Sequence, residues 1–229
     1  MPRCSRPEME AAILAAGRRQ LQQKGAAALS LREVAREVGV VSSAVYRYVS
    51  SRDELLTRLL VAAFDGLADA VDAALADAPG REPLAVIAYA VRRWAVEHPE
   101  EWGLVYGTPV PGYAAPQERT GGPGTRVLAW VLRAVVDAVN PASGVAPGGP
   151  PAGPVAEFAA EATDSLQVSA TPDQMAMAMG WWAGLVGLVH AEVFGFWGPV
   201  PDGLGEQLLD HWLSGPGHPA GTPGGPSPR

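Results

Sequence analysis

Between Ser30 and Leu60 the chain carries the spacing of two short helices closed over one glycine, and this spacing narrows the choice of fold more than any other feature. Ser30-Leu31-Arg32-Glu33 and Ser51-Arg52-Asp53-Glu54 both read as capping boxes. In such a box a serine hydroxyl accepts from the backbone N–H three residues on, and the glutamate reaches back to the serine N–H. From the first box, Leu31, Val34, Ala35 and Val38 recur at helical spacing and meet Gly39, which can take the positive φ that ends a helix. After the turn Gly39-Val40-Val41, residues Ser42 to Val49 have length for about two helical turns before Ser50-Ser51 starts the next helix. Two short helices joined by a tight turn containing glycine make a helix-turn-helix.

In that motif the second helix enters the major groove with its N-terminal residues toward base edges, while neighbouring groups hold phosphates. Ser42 and Ser43 carry short hydroxyls that both donate and accept, and Tyr46 and Tyr48 offer an apolar shaft with a polar tip that can reach a phosphate. Val40 and Val45 are expected to pack the recognition helix onto the core. Arg32 and Arg52 fall in first turns of helices, where exposed backbone N–H groups also attract an anion, and Arg47 faces phosphate or solvent.

The net charge of −7 argues against a polyanionic partner only if it is evenly spread, and it is not. Residues 1–60 hold ten Arg or Lys against six Asp or Glu, whereas residues 61–229 hold seven against eighteen. A basic first quarter on an acidic remainder suits a small DNA-binding head on a larger body.

Val34-Ala35, Val38-Gly39-Val40, Val45-Tyr46-x-Tyr48 and Ser51-x-Asp53-Glu54-Leu55-Leu56 resemble, in order and spacing, the DNA-binding signature of the tetracycline-repressor (TetR) family. The resemblance covers about Glu8 to Leu60. It implies a three-helix head, with a first helix from about Pro7 to Lys24, and a long fourth helix leading into the body. It also implies Ser42, Ser43 and Ala44 against bases, Tyr46 and Tyr48 at the groove edge, and Arg32 and Arg52 on flanking phosphates. Val41 stands where the family usually has a capping serine or threonine, so Ser42 is expected to cap instead, and Val49 stands where a phenylalanine usually closes the core.

The remainder reads as helices punctuated by glycine and proline, at about 52–78, 82–98, 99–106, 122–139, 155–168, 172–196 and 203–213, with no convincing strand alternation. The expected class is all-α, with a helix-turn-helix domain over 1–52 and a larger ligand-binding and dimerisation domain over 53–213. Residues 141–154 and 214–229 have too few apolar side chains to offset ordering and read as a flexible loop and a disordered tail. No apolar run approaches the roughly 18 residues of a membrane span, and the N-terminus lacks the pattern of a signal peptide. A single cysteine, Cys4, forms no internal disulfide and fits a reducing cytoplasm.

Two stretches of the body stand out. Tyr89 to Tyr113 is rich in rings beside a Pro/Gly turn, a composition that can line a pocket for a partly apolar molecule. Met175 to Trp197 is apolar nearly all round, with Gly180, Gly184 and Gly187 leaving grooves for another backbone, so it must be covered by its own domain or by a partner. The second stretch resembles the C-terminal domain of a TetR subgroup named for its Trp, His and Gly. Trp182, Gly187, Glu192 and Gly195 fall at the matching positions, and Val186 where the histidine would fall. That resemblance implies two helices per subunit, 155–168 and 172–196, in a four-helix dimer interface including Leu185, Leu188 and Phe196. An effector is expected near Trp94, Tyr106, Trp130, Met179 and Trp182, where adaptable methionine side chains meet aromatic rings.

No Gly-rich phosphate loop, metal-ligand spacing or nucleophile elbow occurs, so neither an enzyme nor a metal or other cofactor is expected. The reading is a homodimeric cytoplasmic repressor on a palindromic double-stranded DNA operator, released by an unidentified small-molecule effector, with no membrane partner. The alternatives are a ligand-independent regulator or activator, and a small-molecule-binding α-helical enzyme.

Overall fold

The structure is a computed structural model that describes residues 5–139 and 153–215. Cys4, residues 141–152 of the expected loop and residues 216–229 of the expected tail lie outside the described residues. Among those described, the elements are α1 (Arg6–Lys24), a 3-10 turn (Ala26–Ala28), α2 (Leu31–Glu37), α3 (Ser42–Val45), α4 (Arg52–Asp77) and α5 (Pro83–Glu97). They continue with α6 (Pro99–Tyr106), α7 (Gln117–Ala138), α8 (Pro154–Leu166), α9 (Pro172–Val193) and α10 (Leu204–Leu213). The class is all-α, and no described helix is long and apolar enough to cross a membrane. The chain forms two compact units. One holds the described residues to Gly66 together with His98–Gly124; the other holds Leu67–Glu97 and the described residues from Thr125. The first unit thus extends past residue 52 and includes α6 and the start of α7.

In the first unit, Ile13 and Ala16 of α1, Leu31, Val34 and Ala35 of α2, Val45 of α3, Val49, and Leu55, Leu56 and Leu59 of α4 form one buried cluster. Leu104, Val110 and Tyr113 pack against it. Gly39 takes φ +74 after α2, the left-handed turn the sequence required. Val49 is 1% exposed and fills the core position without a ring.

Capping departs from expectation. Ser30 precedes α2 but its hydroxyl accepts no cap bond; its own N–H donates to Gln20 Oε1 at 3.0 Å, and the Glu33 carboxylate accepts from Lys24 Nζ at 2.6 Å. An ammonium outcompetes a backbone amide for that carboxylate. Ser51 Oγ accepts from the Glu54 N–H at 3.0 Å, but the Glu54 carboxylate turns to Arg58 Nε at 2.7 Å and to Arg119, leaving the box half closed. Closed boxes occur instead at Ser5 with Glu8 and at Thr171 with Gln174. Val41 is the N-cap of α3 and gives no side-chain bond, while Ser42 is already the first helical residue and does not replace it.

The recognition helix is shorter than two turns. Its α-helical part ends at Val45, after which Arg47 N–H donates to Ala44 O at 3.3 Å and Tyr48 N–H to Val45 O at 2.9 Å, the tighter i to i−3 pattern of a closing turn. Helix α7 begins before the expected position and takes in Pro123. Pro116 O accepts from the N–H groups of Arg119 and Thr120 at 3.0 and 3.1 Å, and Gly124 passes close to Phe64, whose Cζ would lie 3.1 Å from an added Cβ.

In the second unit, Leu67, Ala68 and Val71 of α4, Leu84, Ile87, Val91 and Trp94 of α5, and Val131, Leu132 and Val135 of α7 are buried. Helix α9 contributes Met175, Ala178, Trp181, Leu185 and Val189. Arg92 of α5 grips Glu192 of α9 through two bonds of 2.8 and 2.7 Å, a planar fork meeting a carboxylate. Tyr89 donates to Asp210 of α10, and Trp181 meets Trp212 with centroids 5.3 Å apart. Within the protomer Gly180, Ala183 and Gly187 of the Met175-to-Trp197 segment are exposed, and the segment leaves the α-helix after Val193, short of the expected 196.

Arg52 is engaged internally. Its Nη2 donates to Ala26 O at 3.0 Å and to Ala27 O at 3.1 Å, satisfying carbonyls of the 3-10 turn. Replacing Arg52 with Ala is expected to lower the stability of the protein by about 1–2 kcal/mol, the worth of hydrogen bonds from a charged donor at a partly exposed site. Urea unfolding followed by circular dichroism measures it; an unchanged midpoint would remove this role.

Candidate nucleic-acid interface

The helix-turn-helix buries one side of each short helix and leaves the residues of the other in solvent. Val34, Ala35 and Val45 are fully or almost fully buried, Val40 packs partly buried against them, and Arg32, Ser42, Ser43 and Arg47 are exposed. Tyr46 is 51% exposed beside Val45 at 0%, so α3 gives its one buried position to valine and keeps the tyrosine free. Ala44 and Tyr48 are half-buried, and Tyr48 leans on the core cluster.

The charge balance of the first sixty residues resolves into few available cations. Arg18 pairs with Glu101 at 2.9 Å, Arg19 with Glu37, Lys24 with Glu33 at 2.6 Å and Arg58 with Glu54 at 2.7 Å. Arg32 and Arg47 form no ion pair among the described residues, and Arg36 is an exposed side chain with only a loose 3.9 Å approach to Glu33. The Lys24 ammonium holds the Glu33 carboxyl below its ordinary range, and the guanidinium of Arg119 does the same for Glu54, so both acids stay charged and keep their cations occupied. Arg52, expected on a flanking phosphate, donates through its Nη2 to the Ala26 and Ala27 carbonyls.

Two residues beside these were not singled out by sequence reasoning as part of a candidate interface. Val41, noted only as a missing cap, is 70% exposed at the entry to α3 and suits contact with a thymine methyl. Arg6 lies with its guanidinium carbon 5.9 Å from the Tyr48 ring centroid, in reach of a cation–π contact that holds the tyrosine. The closed box of Ser5 and Glu8, legible as Ser-x-x-Glu, fixes the helix start that places Arg6.

The residues expected around an effector are divided. Tyr106 belongs to the first unit, where its ring meets Trp102 with centroids 4.4 Å apart and burial pushes its phenol up. Trp94, Trp130, Met179 and Trp182 belong to the second unit. Trp94 is buried, whereas Trp130, Met179 and Trp182 are half-buried. Trp130 lines a cleft between α4, α5 and α7; its indole N–H donates to Asp72 Oδ1 at 2.5 Å. Trp102, fully buried, keeps an indole N–H with no hydrogen-bond partner among the described residues. For the expected dimer contacts, Phe196 is 69% exposed and Leu188 half-buried, but Leu185 is fully buried within its own protomer and is corrected from a contact residue to a core residue.

Similar proteins agree with this architecture. The sequence model described as bacterial regulatory proteins, tetR family, matches residues 13–59, and that described as tetracyclin repressor-like, C-terminal domain, matches residues 84–214. The HTH-type transcriptional regulator Rv1816 of Mycobacterium tuberculosis (strain H37Rv) is 45% identical over 199 residues, spanning 86% of this chain and 85% of that protein. The crystal structure of the candidate regulatory protein SCO4313 superposes with a TM-score of 0.72 at 31% identity, covering 91% of this chain and 94% of that one. The TetR family regulator PfmR from Thermus thermophilus shares the fold at a TM-score of 0.53 and 18% identity, covering 87% of this chain and 93% of that one. With both family models matching and a relative this similar over most of its length, the chain belongs to the TetR family of DNA-binding transcriptional regulators.

Proposed function

We propose that the protein is a homodimeric repressor that leaves a palindromic operator when a small, partly apolar effector binds. The observation that carries the DNA-contacting part is the division of α3 and the turn that closes it, which bury Val45 and expose Ser42, Ser43, Tyr46 and Arg47. Ser42, Ser43 and Ala44 meet base edges, with Val41 against a methyl; Tyr46, Arg47, Tyr48 and Arg32 hold phosphates on either side. Two such heads engage successive half-sites when their recognition helices stand roughly 34–36 Å apart.

Dimerisation is assigned to α8 and α9. Val155 and Phe158 of α8 are 49% and 54% exposed, and Gly180, Ala183 and Gly187 form an uncovered stripe of small side chains on α9. A self-complementary patch of this kind suits a two-fold interface. The effector contacts are Trp94, Trp130, Met179 and Trp182 of the second unit. Helix α4, continuous from Arg52 to Asp77, is the lever between sensing and DNA binding. A ligand shifts the balance of DNA-competent and incompetent dimers by its differential affinity for the two. The protein acts in the cytoplasm, has no catalytic step and requires no cofactor.

Operator binding measured across a salt series tests the DNA surface. Replacing Arg47 with Ala should lower the logarithmic salt slope by about one, the loss of one phosphate contact, and Tyr46 to Ala should weaken binding without unfolding the head. Arg52 to Ala should leave the salt slope unchanged once the protein is folded. Equal slopes for wild type and the Arg47 variant would overturn the assignment.

Sedimentation equilibrium tests the dimer. Ala183 to Glu places a charge on the uncovered stripe of α9 and should give a folded monomer with lost operator affinity, because an unpaired charge enclosed between subunits costs several kcal/mol. Leu185 to Glu should instead unfold the second unit. A wild-type protein that is already monomeric at micromolar concentration would refute the interface.

A further inference from the structure

We propose that the cleft enclosed by α4, the start of α5 and the C-terminal half of α7 is a binding site for a flat, apolar carboxylate. The cleft has a volume of about 480 Å³, within the range that holds small molecules. Leu75 of α4, Pro83 and Ile87 of α5 and Ala134 of α7 give it an apolar lining, and Trp130 gives it an aromatic wall. Of the effector contacts proposed above, Trp130 lines this cleft, and its occupancy is read by titration without an operator.

The indole is locked in place. Its N–H donates to Asp72 Oδ1 at 2.5 Å, and the Arg133 guanidinium carbon stands 4.9 Å from the ring centroid. Arg126 Nη2 donates to Asp72 Oδ2 at 2.8 Å and to Asp69 Oδ1 at 2.9 Å. The charge of Asp72 is thus answered within the cluster, and both its oxygens are occupied.

Arg133 is different. It is exposed at the cleft and, among the described residues, makes no hydrogen bond or ion pair with a carboxylate. A guanidinium held over an indole is preorganised to meet a carboxylate with two parallel bonds, while its plane and the indole favour a flat neighbour. Asp137, one turn further along α7, is the opposing charge on the rim, also without an ion-pair partner among the described residues. A cationic ligand directed to Asp137 would be repelled by the Arg133 guanidinium, which already holds the indole face, so the exposed guanidinium favours the anion. The anion in turn is repelled by nearby Asp137, which fixes the sign of that residue's replacement.

Isothermal titration calorimetry of the full chain with 2-naphthoate, 2-naphthylmethanol and 2-naphthylmethylamine tests the site. The expected result is saturable binding of one 2-naphthoate per protomer, at least about tenfold tighter than the alcohol, the worth of a charge-assisted contact. Arg133→Gln should weaken 2-naphthoate by about the same factor, and Asp137→Asn should tighten it about twofold by removing a nearby like charge. Binding should quench tryptophan emission in the wild type and lose that component in Trp130→Phe. Absence of binding, equal affinity for alcohol and acid, tighter binding of the amine, or indifference to Arg133→Gln in a variant that melts like the wild type would each overturn the proposal. Should Arg133→Gln fail to fold, Asp137→Asn decides, and a variant that binds no more tightly than wild type would overturn it.

Discussion

Helix α4 supplies core residues to both compact units, and its polar side chains bind groups of other elements in each. Its first turns bring Leu55, Leu56 and Leu59 into the head cluster and place Arg52 on the carbonyls of the 3-10 turn. In the same turns Thr57 shares a 2.9 Å hydrogen bond with the Tyr113 hydroxyl, and Glu54 accepts from Arg58 and Arg119. Its later turns give Leu67, Ala68 and Val71 to the second core and hold Arg126 and Trp130 through Asp69 and Asp72. Each of these bonds requires a residue at a fixed angle on the helix, so the backbone ladder of α4 sets the geometry of groups far apart in sequence. Its apolar positions must therefore satisfy one core first and a second core further along, which is why the helix runs for 26 residues without a break.

The fold was legible where local chemistry decides it. Gly39 and the Leu31, Val34, Ala35 pattern located the turn and the supporting helix because positive φ and helical spacing belong to the chain itself. The breaks at Gly80 and Pro99 likewise matched the ends of helices. Side-chain capping was less legible, because a carboxylate near a helix start has a choice. Glu33 chose Lys24 of α1 and Glu54 chose Arg58 and Arg119, partners that only the tertiary fold brings near. Helix α7 starts upstream of the expected residue 122 and takes in Pro123.

The candidate site was legible in its residues and illegible in its electrostatics. Ser42, Ser43, Tyr46 and Arg47 could be placed by spacing alone, for the burial of Val45 fixes which neighbours on so short a helix reach solvent. The excess of cations in the first sixty residues gave the sign of the surface but not its location. Three of those cations, Arg18, Arg19 and Lys24, neutralise acids of neighbouring helices, and Arg52, which sequence spacing placed at the DNA, donates to two carbonyls of the 3-10 turn. A guanidinium with five donors serves equally well at a phosphate and at a turn, and residue type does not separate the two uses.

The same ambiguity between inside and outside governs α9, where the sequence is apolar at nearly every position. Met175, Ala178, Trp181, Leu185 and Val189 follow the spacing of one buried face, and the large side chains among them fill the protomer core. The opposite side carries Gly180, Ala183 and Gly187, which are exposed in the protomer. Glycine in a helix interior costs about 1 kcal/mol relative to alanine, so a solvent-facing stripe with two glycines weakens α9 as an isolated element. Polar helix formers would hold the same positions better if water were their permanent neighbour. Small side chains offset that cost where another backbone approaches closely, and the exposed Val155 and Phe158 on neighbouring α8 provide apolar surface beside the stripe. The composition of α9 is thus intelligible as two faces under different demands: one selected for volume within the protomer, the other for the absence of volume toward a second copy.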